Sequence, residues 1–81
     1  MKIAIQPAPA FPAPAVFLEC VDTQVTLGVG LNTEFRLLDA AGNIVSPRAR
    51  ASLTPAQYDA WTGDDSHVLR CIAENVGLTP A

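Results

Sequence analysis

The sequence changes its hydrophobic period at residue 54, and this change constrains the fold more than any other feature. Before it, apolar residues alternate as in β-strands; after it, they recur at the spacing of an α-helix. Thr54, Pro55 and Gln57 are typical of a helix start, because Thr54 can cap, proline fits the first helical position and Gln57 can complete a capping box. We therefore predict two short helices packed on a small β-sheet.

The two helices are predicted over residues 55–62 and 65–76. Gly63 ends the first helix. Asp64 or Asp65 caps the second helix, where both acids favour the positive end of the helix dipole. The second helix carries an apolar stripe at helical spacing, formed by Val68, Leu69, Cys71, Ile72 and Val76.

The sheet is predicted within residues 15–53. The alternation changes phase near Cys20, which indicates a β-bulge or a break into two strands around Asp22 and Thr23. Gly28 and Gly30 then mark a turn.

A second hairpin is predicted over residues 33–53. The segment Asp39–Asn43 is a turn signal, since aspartate can cap a turn and glycine or asparagine accepts positive φ. The return strand is predicted from Ile44 to Leu53, as an edge strand or one that bulges at Pro47, because proline cannot donate to a ladder. The predicted class is therefore α+β, with an antiparallel sheet of three or four strands followed by two helices.

The N-terminal residues 1–14 are predicted to form a strand over residues 1–5 and then a stiff extended arm. Repeated prolines exclude a helix over residues 6–14 and favour polyproline II, with Phe11 as the one large anchor. Pro9 and Pro12 make the P-x-x-P spacing of an SH3 ligand, but no basic residue accompanies them. Residues 15–81 are predicted to form one domain.

Size and charge argue against several functions. With 81 residues, 49% hydrophobic and 16% charged, the chain makes one small domain for which a partner is an attractive source of further burial. The net charge is −3 and the five basic residues are scattered, so we expect no nucleic-acid binding. The N-terminal prolines interrupt any secretory signal, and we find no apolar run long enough to span a membrane.

Candidate catalytic residues are few. Asp64, Asp65 and His67 superficially offer a metal or acid–base cluster, but neighbouring residues at a helix start do not all converge, and we interpret them as caps beside a solvated histidine. Cys71 lies on the apolar face of its helix without a basic activator nearby in sequence. We predict no enzyme activity, no cofactor and no metal.

We interpret the aromatic residues Tyr58 and Trp61 as a plug that fills the space between helix and sheet. The alternative is a platform that binds a ligand.

The two cysteines, Cys20 and Cys71, are interpreted as small buried hydrophobes in a reducing compartment. A disulfide between them is the alternative.

The C-terminal part of the chain resembles a known group of sequences. The stretch Leu53–Trp61, the acidic pair Asp64–Asp65 and the ending Ala73–Leu78 resemble the C-terminal end of small uncharacterised proteins of tailed bacteriophages and prophages, which also carry a D-x-x-G hairpin turn. The resemblance covers about residues 33–78. His67 departs from it, since an aromatic residue is expected there. The resemblance implies a phage setting and brings no functional residue.

These observations predict a structural or accessory protein of a tailed-phage particle, located in the virion and acting by contact with other virion proteins or with copies of itself. Tail, fibre or baseplate is favoured over capsid. The expected docking residues lie on the arm and near the edge strand: Pro9, Phe11, Pro12, Arg48 and Arg50. The alternatives are an intracellular adaptor or inhibitor of one protein, and a small enzyme or metal protein.

Overall fold

The protein folds as a two-layer α+β domain, as predicted. The computed structural model describes residues 1–10 and 13–81. In this part of the chain, four antiparallel strands in the order β1-β2-β3-β4 precede two helices. Their bounds are β1 Lys2–Ala8, β2 Ala15–Thr26, β3 Gly30–Leu38, β4 Ala49–Ser52, α1 Pro55–Asp59 and α2 Asp65–Asn75.

The core lies between the sheet and α2. Alternate residues of the two central strands face the helices, among them Leu18 on β2 and Leu31 on β3. Helix α2 packs on β1, β2 and β4, whereas α1 contacts β3. Val68 and Ile72, on the predicted apolar stripe, are fully buried, so the helical period of the sequence directly sets the packed face of α2.

The predicted bulge lies in β2. The pairing of β2 with β3 shifts register between Val21 and Gln24, and Asp22 adopts a φ of +51°. The buried Thr33 hydroxyl lies against this bulge, 3.1 Å from the Val21 carbonyl oxygen and 2.9 Å from the Thr23 hydroxyl. The extra residue changes which side chains share a face of the strand, but residues 22–26 after the bulge are all exposed. The apolar residues beyond the bulge therefore do not mark a second buried face.

The turn after β3 has the predicted structure. The Asp39 carboxylate accepts hydrogen bonds from the amides of Ala41 (3.0 Å) and Asn43 (2.8 Å). Gly42 takes a φ of +87°, which glycine adopts without steric cost. Sequence and structure agree here because the turn is held by its own residues.

The predicted return strand Ile44–Leu53 is too long. Ile44 makes an isolated bridge with Leu38, and a regular strand resumes only at Ala49. Pro47 lies in the interruption and cannot donate to the ladder. The Leu37 amide donates instead to the Ser46 hydroxyl, at 2.9 Å.

The N-terminal strand is longer than predicted. Residues 6–8 belong to β1 and not to an extended arm, so the predicted start of the arm at Gln6 is wrong. Residues 79–81 pair with β1 and stabilise the longer strand. The Gln6 amide donates to the Thr79 carbonyl at 2.8 Å, and the Ala81 amide donates to the Ala4 carbonyl at 3.0 Å. Residues 79–81 thereby pair along the outer edge of β1.

Both helices begin as predicted and end slightly earlier. Thr54 and Gln57 form the capping box of α1, which ends at Asp59 and not at residue 62. The Asp64 side chain caps α2 by accepting from the Ser66 amide at 2.9 Å. Helix α2 ends at Asn75, one residue before the predicted end. The Leu78 amide then donates to the Ala73 carbonyl at 2.8 Å, as in a Schellman motif.

A pair of amide side chains joins the two helices to the sheet. Gln57 and Asn75 exchange two hydrogen bonds, of 3.0 and 2.8 Å. The Asn75 side chain also donates to the Ser52 carbonyl at the end of β4, at 2.9 Å. The capping glutamine of α1 therefore also fixes the C-terminal end of α2.

Replacing Leu18 by alanine tests the position of the core. Leu18 is fully buried, so Leu18→Ala should lower the free energy of unfolding by about 2–5 kcal/mol. The matched control is Leu27→Ala, the same chemical change at a side chain that is 88% exposed. The control should change stability by no more than about 0.5 kcal/mol. Urea titrations followed by circular dichroism give both values, and equal losses would contradict the proposed core.

Candidate functional site

The two arginines predicted to dock a partner are engaged within the chain. Arg48 and Arg50 both reach the carboxylate of Glu34, at 3.4 and 3.5 Å, and Arg48 also lies 3.5 Å from Asp22. Both arginine side chains remain more than half exposed. Exposed pairs of this kind contribute little to stability. The arginines are accessible, but their charge is largely balanced by neighbouring acids.

The outer sheet face also carries a further ion pair and a cation–π contact. Arg36 and Glu19 face each other across β2 and β3 at 2.6 Å. The Lys2 ammonium group lies 4.8 Å from the centre of the Phe17 ring, a cation–π distance. This face therefore alternates polar pairs with apolar groups.

Of the three arm residues predicted to bind a partner, the structure describes only Pro9. Pro9 is exposed and follows directly after β1. Phe11 and Pro12 lie outside the described residues, so their predicted docking role stays a prediction.

The structure brings His67 and Cys71 together, one turn apart on α2. His67 is half-buried, and its Nε2 lies 2.9 Å from the Gln57 carbonyl oxygen of α1. The prediction of a solvated histidine is therefore wrong, because the first turn of α2 faces α1. The Cys71 sulfur is 3.6 Å from the same ring nitrogen. The histidine accordingly joins the two helices.

This pair does not have the properties of a catalytic thiolate. Both cysteines are buried and free. Burial raises the pKa of the Cys71 thiol above its ordinary value, with a further increase from Glu74 that Arg70 opposes. Burial likewise raises the pKa of Cys20, against a hydrogen bond from Thr33. Within residues 1–10 and 13–81, no group of three or more His, Cys, Asp or Glu side chains is arranged to hold a metal ion.

Strands β2 and β3 form a hairpin, and its largest exposed apolar side chains lie at the turn that joins these two strands. Leu27 is 88% exposed, Val29 is 77% exposed and Val25 is 41% exposed. We call these three residues the apolar tip. The chain carries no charged residue from Thr23 to Thr33. The apolar tip is thus an uncharged, projecting surface next to the charge-paired outer face.

The turn of the apolar tip is hydrogen-bonded to itself and to α1. The Val29 amide donates to the Thr26 carbonyl at 3.0 Å, and Gly28 takes a φ of +75°. The Tyr58 hydroxyl, on α1, accepts from the Gly28 amide at 3.1 Å and donates to the Thr26 carbonyl at 3.4 Å. Tyr58 therefore connects α1 to the turn, in addition to packing half-buried against Trp61, with ring centroids 6.2 Å apart.

A shallow apolar cavity of about 400 Å³ lies at the opposite end of the same hairpin. Its lining, within the described residues, comes from the end of β1, the start of β2 and the turn after β3: Pro7, Ala13, Pro14, Val16, Asp39, Ala40 and Ala41. Asp39 is the one charged group in this lining, and its carboxylate already accepts two turn amides. We call this cavity the apolar socket.

The predicted docking residues do not include the apolar tip. A signal was present in the sequence, since turns are normally polar, whereas the turn at residues 27–29 places leucine and valine on either side of its glycine. Alternation alone assigns Leu27 and Val29 to a buried strand face. The structure instead places both beyond the end of the strand.

Comparisons with known proteins found no matching family model, no matching curated protein and no matching solved structure. In the part of the chain that the structure describes, neither helix combines the length and apolar character needed to cross a bilayer.

The raised pKa values predict two unreactive thiols. In native protein at pH 7, DTNB should label Cys20 and Cys71 slowly, because the attacking species is the thiolate and burial disfavours it. In denaturant both thiols should react at once. Fast labelling of native Cys71 that His67→Ala abolishes would contradict this interpretation and point to an activated Cys–His pair.

The same shifts predict a pH dependence of stability. The folded state holds both thiol protons more tightly than the unfolded state, so the free energy of unfolding should fall as pH rises from about 8 to about 9.5. Urea titrations across this range measure the slope. The Cys20→Ala/Cys71→Ala double variant is the control, and its slope should be smaller. An identical slope would show that other groups cause the loss.

Proposed function

We propose that this protein is non-enzymatic and acts by protein–protein contact, with the apolar tip as its main docking surface. The observation that carries the proposal is the exposure of Leu27 (88%) and Val29 (77%) on a turn whose backbone is hydrogen-bonded to itself and to Tyr58. Exposed apolar side chains that adjoin one another mark interaction sites more often than isolated ones do.

The hydrogen bonds within and around the apolar tip support binding. The Tyr58 hydroxyl and the internal turn hydrogen bond already order the backbone. A preorganised surface loses less conformational entropy when it binds, so more of the contact energy appears as affinity. The charge-paired outer face with Arg48 and Arg50 is better suited to orienting a partner than to supplying affinity.

We further propose that the setting is a tailed-phage particle, in its tail, fibre or baseplate more than its capsid. The support for this setting is the resemblance carried by Leu53–Trp61, Asp64–Asp65 and Ala73–Leu78. An adaptor or inhibitor that binds one soluble protein would use the same apolar tip.

Incorporation into particles tests the function. Particles assembled in cells that express tagged wild-type chain should contain it by mass spectrometry after purification. Leu27→Asp should fold normally yet reduce incorporation by about tenfold or more, because a charge at a docking centre removes hot-spot energy. Ile44→Asp is the matched control. Ile44 is an aliphatic side chain, 55% exposed, in the segment between β3 and β4.

The outcomes separate the candidates. Loss with Leu27→Asp and retention with Ile44→Asp support docking through the apolar tip. Absence of the wild-type chain from particles, together with capture of one soluble protein that Leu27→Asp releases, favours the adaptor. Equal behaviour of Leu27→Asp and wild type in both assays would overturn the proposed docking surface.

A further inference from the structure

The two outer edges of the sheet differ in what covers them. Strands β1 and β4 are the outermost strands. Residues 79–81 pair with the edge of β1, whereas no backbone group in the described part of the chain bonds to the outer side of β4. Three of the four residues of β4 are exposed. The end of β2 also extends past its pairing with β1, but its bulge at Asp22 interrupts regular pairing.

The hydrogen-bonding phase of β4 shows which of its backbone groups point outward. The Leu53 amide donates to the Leu31 carbonyl at 3.1 Å, and Ala51 lies two residues earlier in the same ladder. Residues of an antiparallel strand bond alternately to one side and to the other, so Arg50 and Ser52 direct their N–H and C=O groups away from β3. A side chain of α2 already donates to the Ser52 carbonyl. The Arg50 amide, the Arg50 carbonyl and the Ser52 amide therefore have no partner among the described residues.

The Arg50 side chain adds a charge preference to this edge. Arg48 and Arg50 share the carboxylate of Glu34, at 3.4 and 3.5 Å. These distances are longer than the roughly 2.7–2.9 Å of a close charge-assisted hydrogen bond. The Arg50 side chain is 74% exposed, and a guanidinium group carries several N–H donors in a planar fork. Arg50 can therefore bind a second carboxylate, supplied by an adjacent strand, while it stays beside Glu34.

We propose that the outer edge of β4 binds an extended segment of another protein, which adds a strand to the sheet and places an acidic side chain beside Arg50. In strand addition, main-chain hydrogen bonds supply affinity, and side chains at alternate positions supply specificity. This surface is separate from the apolar tip. The inference goes beyond the proposed function because it assigns both the conformation and the charge of a binding segment.

The arginines argue against a second copy of the chain as the occupant. Two β4 strands paired edge to edge would bring the arginines of both copies onto neighbouring strands of one sheet. Like charges in such positions are destabilising, whereas an acidic residue opposite Arg50 is stabilising. Charged side chains on short edge strands exclude unsuitable strands in this way. The edge therefore selects an acidic segment over its own copy.

An NMR titration with two peptides tests the proposal. The probe is a capped peptide of about six residues that alternates valine and glutamate, long enough to pair along β4. Its matched control carries lysine in place of glutamate. A few main-chain hydrogen bonds add little net free energy in water, so we expect a dissociation constant of about 1 mM for the glutamate peptide. The amides of Arg50 and Ser52 should shift and exchange more slowly. The lysine peptide should bind at least about fivefold more weakly.

Two variants separate the charge from the backbone contribution. Arg50→Glu should reverse the preference, so that the lysine peptide binds more tightly than the glutamate peptide. Arg70→Glu is the matched control, because it makes the same change at an exposed position of α2, and it should bind both peptides like wild type. Ser52→Pro removes an outward amide, a change that edge strands accept, and should weaken glutamate-peptide binding at least about fivefold. If circular dichroism shows that Ser52→Pro is unfolded, Arg50→Glu decides.

Several results would overturn the proposal. These are equal binding of the two peptides, an unchanged preference in folded Arg50→Glu, or no shift of the Arg50 and Ser52 amides at about 10 mM peptide, ten times the expected dissociation constant. Broadening of these amides that grows with protein concentration, in the absence of peptide, would assign the edge to a second copy instead. Leu27→Asp should bind the glutamate peptide like wild type. A failure at β4 therefore leaves the proposed role of the apolar tip standing, and the two failures are distinguishable.

Discussion

The burial of the apolar face of α2 against the sheet is the contact on which the rest of the structure depends. A domain of this size removes only a modest part of its surface from water, so its stability is marginal. Val68 and Ile72 of α2 and Leu18 of β2 are fully buried where the two layers meet. The caps of α2 and its contact with Gln57 fix where the helix begins and ends, and thereby which part of the sheet it covers.

The lengths of the elements determine which surfaces stay open. Helix α2 has 11 residues, which at about 1.5 Å per residue extend over about 16 Å. Strand β2 has 12 residues, which at about 3.3 Å per residue extend over about 40 Å. A helix of this length cannot cover the whole hairpin. Ala15, Leu18 and Cys20 of β2 are buried, whereas residues 22–26 are exposed. The end of the hairpin that carries the apolar tip therefore projects beyond the helical layer.

Features held by local hydrogen bonds could be predicted from the sequence, and features set by packing could not. The Thr54 capping box and the Asp39 turn each depend on residues close together in the chain. The contact from Tyr58 to Gly28 joins residues 30 positions apart. Likewise, the alternating pattern cannot show where the helical cover ends, so only the structure shows that Leu27 is exposed beyond the end of β2.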